Sequence, residues 1–296
     1  MLMLDSSLVA FFLDRTSPVL PALVLSVSKV GWVAVCLGVC LRILPGILLL
    51  ALYNFLKRRP RPIRKGLELE LAGQPAEAVD CCSKALAAGS VLSPSDQALL
   101  LGCLGSALMD MGRYDESQQH LVKALGMGDP TGSCRSSIAE LLLRQGIQPD
   151  KALHLSSQVI NESAAEAARL YRGLDPVWRA RPLAQNHAFR STLWAQRAWA
   201  LALLGRREEA REAIDEASQL AIKPDGDLSA SCWAFVSRLE WQRLADTCWL
   251  AGMALLAMNE TGKASEHFKE GSYVDPNGKY GALCRKQLAL LGAPVG

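Results

Sequence analysis

The stretch from Ala98 to Pro130 constrains the fold most. It reads as two amphipathic helical runs on either side of a short break, Met111-Gly112-Arg113-Tyr114. In the first run Leu101, Leu104, Leu108 and Met111 recur at three- and four-residue steps, which places them on one helix face. Gly105 sits among them, where a missing side chain lets a second helix come close. The second run carries Leu121, Ala124 and Leu125. Gly112 suits the left-handed conformation that ends a helix. Asp129-Pro130 stops the second run.

This pattern resembles a tetratricopeptide repeat, a helix-turn-helix unit of about 34 residues. Leu101 falls at the family's Trp-type position, Leu104-Gly105 at its Leu-Gly pair and Leu108 at its Tyr-type position. Tyr114 matches the aromatic after the turn, Leu121 the Phe-type position and Ala124 the second small position; Ser117 replaces the usual Ala, and Pro130 falls one residue late. Weaker copies carry Gly66, Leu69, Gly73, Ala78 and Ala85; then Leu143, Gly146, Ala152 and Val159. A fourth has Trp194, Ala198, Leu201, Gly205, Ala210, Ile214 and Ala217, and a fifth has Gly252, Leu255, Ala264, Phe268 and Pro276. The anchor positions Ala78, Ser117, Ala152, Ala210 and Ala264 are spaced 39, 35, 58 and 54 residues apart, so the last two intervals leave room for about one extra helix each.

The resemblance implies an all-α, TPR-like helical-hairpin solenoid over residues 66–296. It implies a protein-binding scaffold and names no activity. In the family the first helix of each repeat lines a concave groove. Carried over, the partner-binding positions are Met109, Asp110, Leu141, Arg144, Trp199, Trp249 and Met253. Such a groove is mostly apolar and suits a hydrophobic segment or amphipathic helix of a partner. The alternative is that Trp199 and Trp249 pack against inserted helices.

Residues 1–56 expect a different environment. Val19 to Leu56 holds two charges, Lys29 and Arg42. As a helix, Val30 to Leu56 spans roughly 40 Å, enough to cross a bilayer with tilt. Arg42 would then lie near the middle, where a lone charge costs at least about 2.5 kcal/mol. A single span at about Val19 to Leu41 followed by an interfacial or re-entrant helix, and a tight membrane-embedded hairpin, are equally open readings. The next nine residues hold six cations, Lys57, Arg58, Arg59, Arg61, Arg64 and Lys65. Beside an apolar run they read as a basic juxtamembrane spacer (57–65) on the cytoplasmic side, in contact with lipid headgroups. The expected localisation is therefore membrane, with the repeat domain facing the cytoplasm.

Excluding that spacer and the +1 of residues 1–56, the remainder of this +3 chain carries −4, which argues against nucleic acid as a partner. The nine cysteines form no disulfide framework and no C-x-x-C pair. The four histidines, His120, His154, His187 and His267, are scattered without a metal or triad spacing. No catalytic residue, cofactor or metal is expected, and an enzyme with a site outside the repeats, in residues 160–190 or 223–244, is the remaining alternative to a scaffold or a membrane-complex subunit. Partners are expected to be proteins, including an integral-membrane complex in which Arg42 finds its counter-charge. Between the repeats, Ser163 to Tyr171 is expected as a helix and Asp175-Pro176 and Arg181-Pro182 as brackets of a loop holding Trp178. A Trp-rich helix is expected over Leu228 to Leu244, and Lys279 to Leu291 as a closing helix over the apolar end of the array.

Overall fold

The computed structural model describes residues 61–88, 92–129, 132–170, 176–221 and 238–292, with backbone alone at 61, 166–170, 176–185 and 238–241. The chain divides between Arg58 and Arg59. The expected membrane segment, with Arg42 and the cations Lys57, Arg58 and Arg59, lies outside the described residues. Among the described residues no helix is long and apolar enough to cross a membrane.

Eleven helices and no strands make up the described residues: α1 (Arg61–Leu71), α2 (Pro75–Ala87), α3 (Pro94–Asp110), α4 (Tyr114–Gly126), α5 (Ser133–Gln145), α6 (Pro149–Leu170), α7 (Pro176–Leu203), α8 (Arg207–Leu220), α9 (Arg238–Ala257), α10 (Thr261–Val274) and α11 (Lys279–Leu290). Consecutive helices pair into five hairpins, α1–α2 to α9–α10, and α11 packs on both α9 and α10.

One device ends the first helix of every hairpin. After α3, the Gly112 N–H donates to the Met109 carbonyl and the Arg113 N–H to the Leu108 carbonyl, with Gly112 at φ +75°. This is the Schellman arrangement, which satisfies the last carbonyls of a helix. The same pair of bonds recurs at Gly73, Gly146, Gly205 and Asn259. Asn259 is the one non-glycine among the five, at φ +65°, a conformation that asparagine tolerates better than most residues. Helix starts are equally local. Ser93 Oγ accepts from the Asp96 N–H at 3.1 Å to cap α3, and the Asp129 carboxylate accepts from the Cys134 and Arg135 N–H groups, both at 3.1 Å, to open α5.

Within a hairpin, packing is decided by one small residue. A Cβ on Gly105 would lie 2.6 Å from Leu121 Cγ, so α3 and α4 meet at this spot only because the side chain is absent. Ser117 Oγ also donates to the Gly105 carbonyl at 2.7 Å, which explains a serine in an alanine position. Gly252 repeats the arrangement in the fifth hairpin, where a Cβ would overlap the ring of the fully buried Phe268.

Several expectations need correction. Met111 is 42% exposed, because α3 ends at Asp110 and the face does not continue into the turn. Leu100 and Met109 are buried as well, since α3 is covered by α1, α2, α4 and α5 rather than on one side. The expected helix Ser163–Tyr171 is the end of the 22-residue α6, and the expected loop around Trp178 is the start of the 28-residue α7. Pro176 sits at the first turn, where its missing N–H costs nothing, and Pro182 loses one bond of a long helix. The surplus length between the third and fourth repeats thus lengthens two helices. Of the helix expected over Leu228 to Leu244, residues 238–244 are the start of α9, which runs on unbroken to Ala257, and residues 228–237 lie outside the described residues. Part of the expected spacer is also helical: α1 begins at Arg61, includes Pro62 in its first turn, and buries Ile63.

Candidate functional site

Successive odd-numbered helices pack against one another along the array, and the side they share is filled. The filling comes from α11, whose first residues reach the C-terminal ends of α1 and α3. Lys279 Nζ donates to Glu70 Oε1 at 2.8 Å and lies 2.9 Å from Asp110 Oδ2. The backbones are also close, since a Cβ on Gly73 would stand 3.4 Å from Lys279 Cα. Helix C-termini carry partial negative charge, so a lysine there is favoured by both the carboxylates and the helix dipoles.

Asp110 is shared. Its other oxygen accepts from Arg144 Nη1 at 2.9 Å, and Arg144 also makes ionic contact with Glu140 one turn earlier. The guanidinium lies over the Trp249 ring at 4.7 Å. Trp249 meets Trp199 edge-on at 5.6 Å and Tyr280 at 5.9 Å. The Tyr280 hydroxyl donates to Glu140 Oε2 at 3.4 Å. Gln242 Nε2 donates to the Leu71 carbonyl at 3.0 Å, which links α9 to α1 as Lys279 links α11 to it. Asp246, on α9, is buried with Oδ1 unbonded.

Burial and charge compete in this cluster. Burial works against the Lys279 ammonium, but Asp110 and Glu70 outweigh it and raise its pKa well above the ordinary lysine value. Arg144 is raised in the same way, burial being overcome by Glu140 and Asp110. Asp246 goes the other way for a carboxyl: burial, with Glu140 adding, pushes it well up toward the neutral acid. The Tyr280 phenol is pushed up by burial and by Asp246 and Glu140. The cluster therefore holds two firmly charged cations, Lys279 and Arg144, and a carboxyl, Asp246, that burial pushes toward its protonated form.

The residues assigned from the sequence to a partner groove meet here. Met109 and Leu141 are fully buried, Trp199 and Trp249 are 5% and 4% exposed, and Asp110 and Arg144 are tied into the ion network. Met253 is half-buried against the same core. The two tryptophans pack against each other, and Trp249 also packs against Tyr280 and Arg144. Glu70, Lys279, Tyr280 and Asp246 were not singled out from sequence; as isolated charges on separate helices they read as solvated positions. Arg61 opens α1. Among the described residues, one set of side chains has the donor types of a metal site, Cys248, His267 and Glu270, on the outer part of the fifth hairpin.

Residues 103–127 match the tetratricopeptide repeat family model. These residues cover the C-terminal half of α3, its Schellman turn and α4. A comparison with curated proteins gives no match. Among solved structures, the chain is similar to a kinesin light chain protein of Podosopora anserina with nearly identical TPR-like repeats, at 17% identity and TM-score 0.43, covering 72% of this chain and 92% of that one. It is also similar to NprR in complex with its cognate peptide NprX, at 11% identity and TM-score 0.36, covering 88% and 82%. The match to the tetratricopeptide repeat model thus falls on the second hairpin, which sits in an all-α array of hairpins built with the same turn.

Proposed function

We propose that the chain is a membrane-tethered scaffold that gathers protein partners, with its repeat array on the cytoplasmic side. The array carries the protein-binding half of this reading, through the tetratricopeptide match at 103–127 and the common turn of its five hairpins. Tethering is supported by the apolar run Val19–Leu56 followed at once by six cations. The scaffold acts by position: the N-terminal segment sets where it is, and the array sets what it holds.

At rest the inner groove is taken by Lys279 and Tyr280. A partner helix that uses Met109, Asp110, Leu141, Arg144, Trp199, Trp249 and Met253 has to replace them. Among the described residues, a surface open without rearrangement is the edge formed by the hairpin turns. Met111, Ile147, Leu203 and Leu204 lie at three successive turns there, each 38–44% exposed. An amphipathic helix or apolar segment is the partner chemistry this edge suits.

Capture from native membranes in mild detergent tests the reading. Full chain, a chain beginning at Arg59, and a full chain carrying Met111→Glu, Ile147→Glu and Leu204→Glu are compared. Partners held by the first two and lost from the third support docking on the array. Partners held only by full chains, the turn-edge variant included, place recognition in the N-terminal segment. That outcome favours the second reading, a stoichiometric subunit of an integral-membrane complex, in which Arg42 finds its counter-charge. No partner with any chain contradicts both.

A further inference from the structure

The fifth hairpin gathers a donor set unrelated to the groove. Cys248 lies on α9, and His267 and Glu270 lie on α10, the helix packed against it. The Cys248 Sγ, an imidazole nitrogen and a carboxylate oxygen all fall within 4.8 Å of one another. Helix geometry explains the pairing on α10, because residues three apart share a face. Gly271 explains why α9 comes close enough. A Cβ there would stand 3.0 Å from Cys248 Cβ and 2.6 Å from Cys284 Sγ, so the missing side chain leaves space for sulfur from two neighbouring helices. Both cysteines are free thiols.

The set is graded from inside to outside. Cys248 is 4% exposed, His267 is half-buried and Glu270 is open to solvent. A soft sulfur inside, an imidazole between and a carboxylate at the mouth provide a closed side and an entry side. Thiolate with imidazole and carboxylate is the donor mix of zinc, whereas calcium and magnesium take oxygen alone. Three protein ligands leave the fourth tetrahedral position to water.

We propose that Cys248, His267 and Glu270 bind one divalent zinc-type ion that clamps α9 to α10. On binding, the metal–sulfur bond replaces the S–H bond of Cys248, and the proton leaves to solvent. Nitrogen and oxygen each donate a lone pair, and no electron is transferred. The ion adds a cross-link between two helices already held by Gly252 and Phe268, so the hairpin forms without it and becomes more resistant to unfolding with it.

The test is cobalt(II) and zinc titration of the full chain in detergent after chelator treatment, with the thermal transition followed alongside. One equivalent of cobalt is expected to give the intense visible bands of a tetrahedral site and a near-ultraviolet thiolate charge-transfer band. Cys248→Ser removes that band. His267→Gln and Glu270→Gln weaken zinc binding roughly tenfold or more and lose the metal-induced rise in that transition, and Glu270→Gln, at an exposed position, leaves the metal-free transition unchanged. Absence of the bands, a charge-transfer band that survives Cys248→Ser, or zinc affinity unchanged in both α10 variants overturns the proposal.

Discussion

Lys279 Nζ sits 2.8 Å from Glu70 Oε1 although the two residues are 209 positions apart. Among the described residues, this pair joins the last helix to the first. Both side chains are nearly out of water, at 4% and 9% exposure, and Asp110 shares the ammonium at 2.9 Å. Buried ion networks add little net stability over an apolar replacement, but breaking one by removing a single partner strands a charge.

Lys279→Met is therefore expected to destabilise the fold by about 3–5 kcal/mol in urea unfolding, because Glu70 and Asp110 stay behind in a dry site. Glu70→Gln in the same chain should recover part of the loss. The pH dependence has a definite sign. The Lys279 pKa is raised on folding, so its contribution is complete below the ordinary lysine value of 10.5 and fades as pH climbs through the higher folded value. The gap between wild type and Lys279→Met should thus be constant through neutral pH and narrow only under strongly alkaline conditions. A gap that closes near pH 7 would contradict this assignment.

Asp246 has the opposite consequence for stability at neutral pH. Its carboxyl is pushed up by burial, so ionising it in the folded state costs more than in the unfolded chain. The stability tied to its proton is complete below the ordinary value of 3.8 and falls as pH rises through the folded value. Asp246→Asn cannot ionise. It is expected to raise the urea midpoint at pH 7 and to leave it almost unchanged near pH 4. An Asn variant that is less stable at pH 7 would show that the ionised carboxylate is required by its neighbours.

Two substitutions separate steric from polar contributions inside a hairpin. Gly252→Ala drives a methyl into the Phe268 ring, and overpacking of this kind costs about 1–3 kcal/mol. Phe268→Leu should recover some of that loss by giving way. Ser117→Ala removes only the hydroxyl bond to the Gly105 carbonyl, worth about 0.5–1.5 kcal/mol, in a position that accepts alanine sterically. Equal losses in the two variants would mean that close helix approach does not govern the hairpins.

The hairpins were legible because their determinants are local. Gly73, Gly112, Gly146 and Gly205 stand where left-handed turns are needed, and Gly105 and Gly252 stand where helices cross. Asn259 was hidden because asparagine in a left-handed turn looks like any polar loop residue. Helix lengths were misjudged at Pro176 and Pro182 because proline reads as a breaker, while the buried second half of α7 is what holds that helix together. The interior of the array was not legible at all. Trp199 and Trp249 on a first-helix face look the same whether they await a partner or meet Tyr280. Nothing in the spacing of Glu70, Asp110, Glu140, Asp246 and Lys279 shows that five charged residues from separate helices converge. That convergence depends on how far the superhelix turns before α11 arrives.

Hydrogen exchange of the full chain in detergent, read peptide by peptide, tests the closed groove most directly. The account predicts that amides at the start of α11, around Lys279 to Cys284, exchange as slowly as those at the C-terminal ends of α1 and α3. It also predicts that Lys279→Met speeds all three regions together. Fast exchange across α11 beside slow exchange in α3 and α5, unchanged by Lys279→Met, would show an open groove and contradict it.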